Sequence, residues 1–200
     1  MLRRRVVPEA AAGGRIAVFL AAVAAAFALA SCASSDTVAE LDTETYAVSV
    51  YALNGSALSA PTAVNTQSRA VVRAEATFDF DVAFDIDSTG KPEVITQRRV
   101  GMPLGTAGHE VGLQAPTGSF DAITDAPKDG WKLDSTLTTG VGQVVTMRVG
   151  ASACVLNLTP YMYTKFVIDS LSLAQRRLWL TVLTDPNCGF RSLVPGRPKH

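Results

Sequence analysis

Histidine and cysteine are scarce in this chain, with two and three residues among 200. A closed zinc-type centre takes four ligands, more than His109 and His200, the only histidines, supply. Charge of one sign is missing too. Eighteen basic side chains balance eighteen acidic ones, which excludes a strongly basic nucleic-acid-binding surface. No Gly-x-Gly-x-x-Gly run follows a strand, and phosphate loops are absent. No Gly-x-Ser-x-Gly elbow presents a nucleophile. No internal repeat and no βαβ spacing occur, so a parallel α/β sheet is not expected. What is present is a foldable composition, 48% hydrophobic and 18% charged.

The apolar residues are unevenly placed. Arg3, Arg4, Arg5 and Arg15 lead into Ile16–Ala30, a run without a charge. A spanning helix needs about 20 apolar residues, so this run is short for a permanent span and fits the hydrophobic region of an export signal. A buried amphipathic helix would need a polar face, and the run has none. Beyond residue 31 the chain holds 14 basic and 17 acidic side chains, a net charge of −3.

Leu29-Ala30-Ser31-Cys32 closes the run with an aliphatic residue, two small ones and a cysteine. This quartet resembles the lipobox of bacterial lipoproteins. The resemblance implies cleavage after Ser31, diacylglycerol on the Cys32 thiol and acylation of the new amino terminus. It also implies an envelope location, with contact to the membrane through the lipid on Cys32. Ala33 stands where an inner-membrane retention signal places Asp, so the same sorting rule implies the outer membrane in a cell with two. The expected organisation is a signal peptide over 1–31, a lipidated flexible tether over 32–44, and one domain over 45–200.

With Cys32 assigned to lipid, Cys154 and Cys188 remain for a disulfide in an oxidising compartment. That bond closes a loop of about 35 residues, which loop entropy values at roughly 4 kcal/mol.

Period-two patterning dominates from residue 45 onward. Phe78, Phe80, Val82, Phe84 and Ile86 alternate with Asp79, Asp81, Ala83, Asp85 and Asp87. A strand sends these sets to opposite faces, one a core face and the other a solvated row of carboxylates. Ser88-Thr89-Gly90-Lys91 turns the chain into a returning strand over 94–100, by a two- or four-residue loop. Further strands are expected over 46–53, 70–75, 133–138, 143–149, 154–158, 161–169 and 177–184. The fold class is all-β: an antiparallel β-sandwich, Ig-like or related, with a small β-barrel as the alternative. Residues 101–130 are irregular and rich in Gly, Pro and Asp, so they either hide short strands or form a functional loop.

The opening Tyr46–Val50 with Asn54-Gly55, and the closing Thr184–Leu193, resemble β-rich lipoproteins of Gram-negative bacteria, Gemmatimonas relatives among them. That resemblance implies no activity.

Three candidate sites follow. Asp79, Asp81, Asp85 and Asp87 offer either a solvated face that keeps the sheet soluble or a calcium site. Asp85-x-Asp87-x-Thr89-Gly90 imitates the start of an EF-hand loop, but Thr96 stands where its bidentate Glu belongs. His109, Glu110 and Ser119 can be drawn as a hydrolytic set within 101–130, against the plainer reading of His109 as a surface loop residue. Arg176, Arg177, Arg191, Arg197 and Lys199 make the carboxyl-terminal end basic. Trp131 is expected either in the core or as an exposed contact. The leading expectation is a non-enzymatic module, with an envelope protein or glycan as partner and no cofactor apart from the calcium option. An envelope hydrolase using the 101–130 loop is the alternative.

Overall fold

The computed structural model describes residues 38–75, 79–101 and 109–199. Alternating side chains organise most of them. In chain order come β1 (Glu44–Tyr51), β2 (Ala63–Asn65), β3 (Ala70–Val72) and β4 (Val82–Ile86). β5 (Pro92–Thr96), β6 (Val111–Gln114), β7 (Lys132–Leu133) and β8 (Thr136–Thr138) follow. β9 (Val144–Gly150), β10 (Tyr161–Ser172) and β11 (Arg177–Asp185) complete the set. One sheet has the order β1-β11-β10-β9-β6-β7 and the other β3-β2-β4-β5-β8. Every pairing is antiparallel, and the sheets do not close into a barrel. The fold is an all-β sandwich, as the period-two pattern implied. No helix among the described residues is long and apolar enough to cross a membrane.

The core lies between the sheets. Val82, Phe84 and Ile86 of β4 meet Phe166 and Ile168 of β10, with Val50, Met147 and Leu180 beside them. Phe84 and Phe166 join the layers edge to face, their ring centroids 5.7 Å apart. Each such side chain contributes about 1.5–3 kcal/mol when fully buried.

The outer face of the larger sheet is covered as well. Tyr163 and Leu183 pack there against Ala126 and Leu193, with Phe120, Ile123 and Trp131 around them. Trp131 is thus half-buried over the sheet, its ring 6.1 Å from that of Tyr163. On the same face Lys165 is buried, and its ammonium donates to the carbonyls of Phe120 and Ile123. The ring of Phe120 lies 4.3 Å from that nitrogen. Two charge-assisted hydrogen bonds and a cation–π contact hold the 119–126 segment down. Burial pushes the Lys165 ammonium below its ordinary pKa.

Several expectations need correction. Residues 101–130 do hide a strand, β6, which was one of the two options for them, and much of the remainder is the cover just described; 102–108 lie outside the described residues. The expected strand over 133–138 is two strands in different sheets, because Asp134 takes a left-handed backbone (φ 44°) and sends the chain across. Residues 154–158 are not a strand; Ser152–Cys154 is a 3-10 turn followed by a loop. The returning strand is Pro92–Thr96, and Gln97–Val100 winds into a 3-10 turn. Ile86 pairs with Pro92, so residues 87–91 form the hairpin loop, with Gly90 at φ 85°. Parity also breaks at Asp81. Phe80 packs with Ala63 and Ala83 on the face away from Val82 and Phe84, and Phe78 lies outside the described residues.

The tether boundary moves too. Ala39 and Thr43 are buried, Thr43 bridges to Gly196, and Asn187 Oδ1 accepts from the backbone N–H groups of Glu40 and Leu41. The folded body therefore starts before residue 45. At the other terminus, Phe190 and Leu193 are buried, so the segment after Thr184 is packed down.

Candidate functional site

β4 carries two of the four aspartates to opposite ends of the sandwich. A strand advances about 3.3 Å per residue, so Asp81, just before it, and Asp85, near its end, stand roughly 13 Å apart. Both are buried, Asp81 at 1% and Asp85 at 5% exposure, and not on a solvated face. Burying a carboxylate is costly without partners, and each has its own set.

Asp85 is enclosed. Arg176 Nη2 donates to its Oδ1 at 2.9 Å and Asn54 Nδ2 donates to its Oδ2. The same guanidinium donates to the carbonyls of Asn54 and Ile86. Arg176 sits in the β10–β11 turn with φ 50°. This cluster ties three loops of one end together. Asp87, beyond it, caps its own hairpin by accepting from the backbone of Thr89 and Lys91. Chiefly the Lys91 hydrogen bond holds its carboxyl below the ordinary carboxylate range.

Asp81 faces a cavity. Its Oδ2 accepts from the amide and hydroxyl of Thr66, in the turn after β2. Its Oδ1 lies 2.6 Å from His109 Nε2, just ahead of β6. His109 is therefore mostly buried, with 16% of its side chain exposed, and is not a free surface residue. Its Nδ1 lies 3.8 Å from Asp79, whose side chain is 63% exposed. The imidazole thus bridges an inner carboxylate and an outer one.

The far wall is built on the larger sheet. Glu110 Oε1 accepts from Arg148 Nη2 at 2.9 Å and from the Tyr161 hydroxyl at 3.0 Å. Burial, then the hydrogen bond to Glu110, raises the pKa of that phenol. Arg148 lies 4.4 Å from the Tyr161 ring centroid and 5.7 Å from that of Trp131. This stack needs a glycine at 112, because a Cβ there would come within 3.0 Å of the Trp131 Cβ and 3.2 Å of Arg148. Between the walls lies a cavity of about 390 Å³, with Gln67, Val149, Gly150, Ala151, Val155 and Pro160 completing its lining.

No protein-family model matches the chain, and neither curated proteins nor solved structures give a match. The cavity has to be read from its own geometry.

The structure brings Asp79, Asp81, His109 and Glu110 to this end and leaves Asp85 and Asp87 at the other. The four aspartates do not converge. Among the described residues no three His, Cys, Asp or Glu side chains are grouped to hold a metal ion. Ser119 is not in the cavity; its Oγ accepts from the Ala122 amide in the cover over Lys165. The drawn His109–Glu110–Ser119 set is therefore not assembled. Gln67, Arg148 and Tyr161 escaped the sequence reading. Tyr161 carried the one usable signal, its alternation with Met162 beside Tyr163, which puts both tyrosines on one face.

Cys154 and Cys188 are at disulfide distance, 2.08 Å between sulfurs, at the cavity end. Cys188 follows Asn187, whose Nδ2 donates to the Leu41 carbonyl and to Asp185 Oδ1. Burial pushes Asp185 up to about 6. Cys32 lies outside the described residues.

Proposed function

We propose that this chain is an exported lipoprotein of the cell envelope, anchored through acyl chains on Cys32 to the outer membrane of a two-membrane cell. Its sandwich serves as a binding module for an envelope glycan or protein, and the Asp79–His109–Glu110 cavity receives the ligand. Two observations support the address: the uncharged run Ile16–Ala30 and the Leu29–Cys32 quartet. One observation carries the binding reading. The cavity is concave and rich in acceptors, and its described lining holds no serine, threonine or cysteine beside His109. Carboxylates and an amide around one aromatic ring suit a ligand rich in hydroxyl or amine donors.

Two experiments test this. Fatty-acid labelling of the expressed chain is expected in the wild type and lost in Cys32→Ser, which retains its precursor mass. An unlabelled wild type, or a variant with unchanged mature mass, overturns the anchoring. For the ligand, wild type and Asp79→Ala are compared on immobilised envelope glycans and on envelope extract. Asp79 is exposed, so its truncation leaves the fold intact. Retention by the wild type and a weaker signal from the variant are expected; equal retention overturns the assignment of the cavity.

A second reading rests on the 2.6 Å contact between His109 and Asp81, one half of a hydrolytic relay. In that reading the imidazole acts on a water molecule within the cavity. Esterase, peptidase and glycosidase activity lost in His109→Ala, but kept in Asp87→Ala at the far end, would establish the hydrolase in place of the binding module.

A further inference from the structure

We infer that the loop Val155–Thr159 is a second membrane contact, a rigid apolar finger that enters the same leaflet as the lipid on Cys32. The inference rests on the lipid anchoring proposed above.

Val155 is 73% exposed, Leu156 96%, and Leu158 fully. No charged residue occurs between Arg148 and Lys165. A folded domain rarely displays adjacent aliphatic side chains in this way unless they meet something. Nor is the finger loose. Its base is joined to Cys188 by the disulfide, and its own turn is closed by Cys154 N–H to Ala151 O and Asn157 N–H to Cys154 O, each at 2.9 Å. Beyond the tip, the Gly189 amide donates to the Tyr161 carbonyl, and the position of a Cβ on Gly189 is only 3.2 Å from Thr159. The leucines are presented in fixed places, with no charge to desolvate.

The occupant follows from where the described chain begins. Glu40 and Leu41 donate to Asn187, the residue next to Cys188. The start of the folded body and the base of the finger therefore meet at one point. Val38 and Leu41 are themselves exposed there, at 76% and 56%. Cys32 is six residues before Val38, and six extended residues reach at most about 21 Å. A lipid on Cys32 keeps this end of the sandwich within that distance of the bilayer. Leu58, equally bare, belongs to the opposite end, where Ala52 N–H donates to Arg176 O. The cavity shares Val155 and Pro160 with the finger, so it opens beside the headgroups.

The test uses the full lipidated chain in phosphatidylethanolamine–phosphatidylglycerol vesicles, with and without bromine on the acyl chains. Leu156→Trp and Leu58→Trp add a reporter at each end at positions too exposed to disturb folding, and wild-type emission from Trp131 and Trp179 is subtracted. Fatty-acid labelling is read on the same samples. Leu156→Trp emission is expected to be roughly halved by bromolipid, with Leu58→Trp unchanged. A labelled chain with both reporters unquenched overturns the finger and leaves the anchor standing. An unlabelled chain removes the anchor and the proposal with it. Unquenched Leu156→Trp in a labelled chain that sediments as a dimer in detergent overturns the proposal in favour of a contact between two copies.

Discussion

Asp81 precedes β4 and Asp85 lies near its end, yet the two ends of the sandwich they serve are built differently. At the Arg176 end the carboxylate is saturated by an arginine and an asparagine, and the same arginine also binds two loop carbonyls. At the His109 end Asp81 holds an imidazole whose other nitrogen lies 3.8 Å from an exposed carboxylate at the wall of a cavity. A buried charge whose oxygens are taken by a strong cation and an amide makes a joint. A buried charge that holds a partner at the wall of a cavity makes a platform for something else. Two aspartates four positions apart thus supply one end with rigidity and the other with exposed acceptors.

The largest expected effect tests the joint. Arg176→Ala leaves Asp85 buried without its cation and frees two carbonyls, so a loss of about 3 kcal/mol is expected in urea unfolding. A loss no larger than that of His109→Ala would erase the distinction between the ends. Removing the disulfide by Cys154→Ser with Cys188→Ser is expected to cost roughly 2–4 kcal/mol, since the bond spans a separation of 34 residues. Hydrogen exchange should then show loosening at 152–160 and 186–190, with the Asn54–Arg176 end unchanged. His109→Ala is expected to cost only about 1–2 kcal/mol, because Thr66 still donates to Asp81 twice.

The smallest effect concerns Asp185, below the cavity end. Its folded pKa of about 6 lies above the ordinary carboxylate value of 3.8, so the protonated form is the one the fold prefers. That stabilisation is complete below pH 3.8 and fades as pH rises through 6. Asp185→Asn keeps an oxygen for the two Asn187 donors and cannot ionise. The variant should match the wild type near pH 4 and exceed it by about 1 kcal/mol at pH 7.5, after allowance for solvent screening. Thermal melts at the two pH values check this, and a variant less stable at pH 7.5 would show that the charged form is needed.

The strands were legible where a local period exists. β1, β9, β10 and β11 each run seven or more residues, and their alternation names both faces. β2 and β6, three and four residues long, are too short to carry a period. The acid row misled because alternation says which side chains share a face, not what covers that face. The partners of Asp85 come from Asn54 and Arg176, 31 and 91 positions away, and those of Asp81 from Thr66 and His109. Lys165 shows the same limit: one lysine in an alternating strand reads as solvent-facing until a distant segment lays its carbonyls over it. The Cys154–Cys188 pairing was legible because only two cysteines remained once Cys32 was set aside.

The seating of β1 has a consequence for the order of assembly. Its register runs from Glu44 opposite Thr184 to Tyr51 opposite Arg177, and among the described residues β11 is its only partner within the sheet. Among the described residues the first strand therefore has no strand partner until Arg177–Asp185 has been made, and closing so large a loop is slow. A chain emerging from a ribosome or a translocation pore amino terminus first must keep β1 unpaired while β2 to β10 pass. A chain cut before Arg177 would strand β1 and leave β10 as a bare edge, a ready template for aggregation.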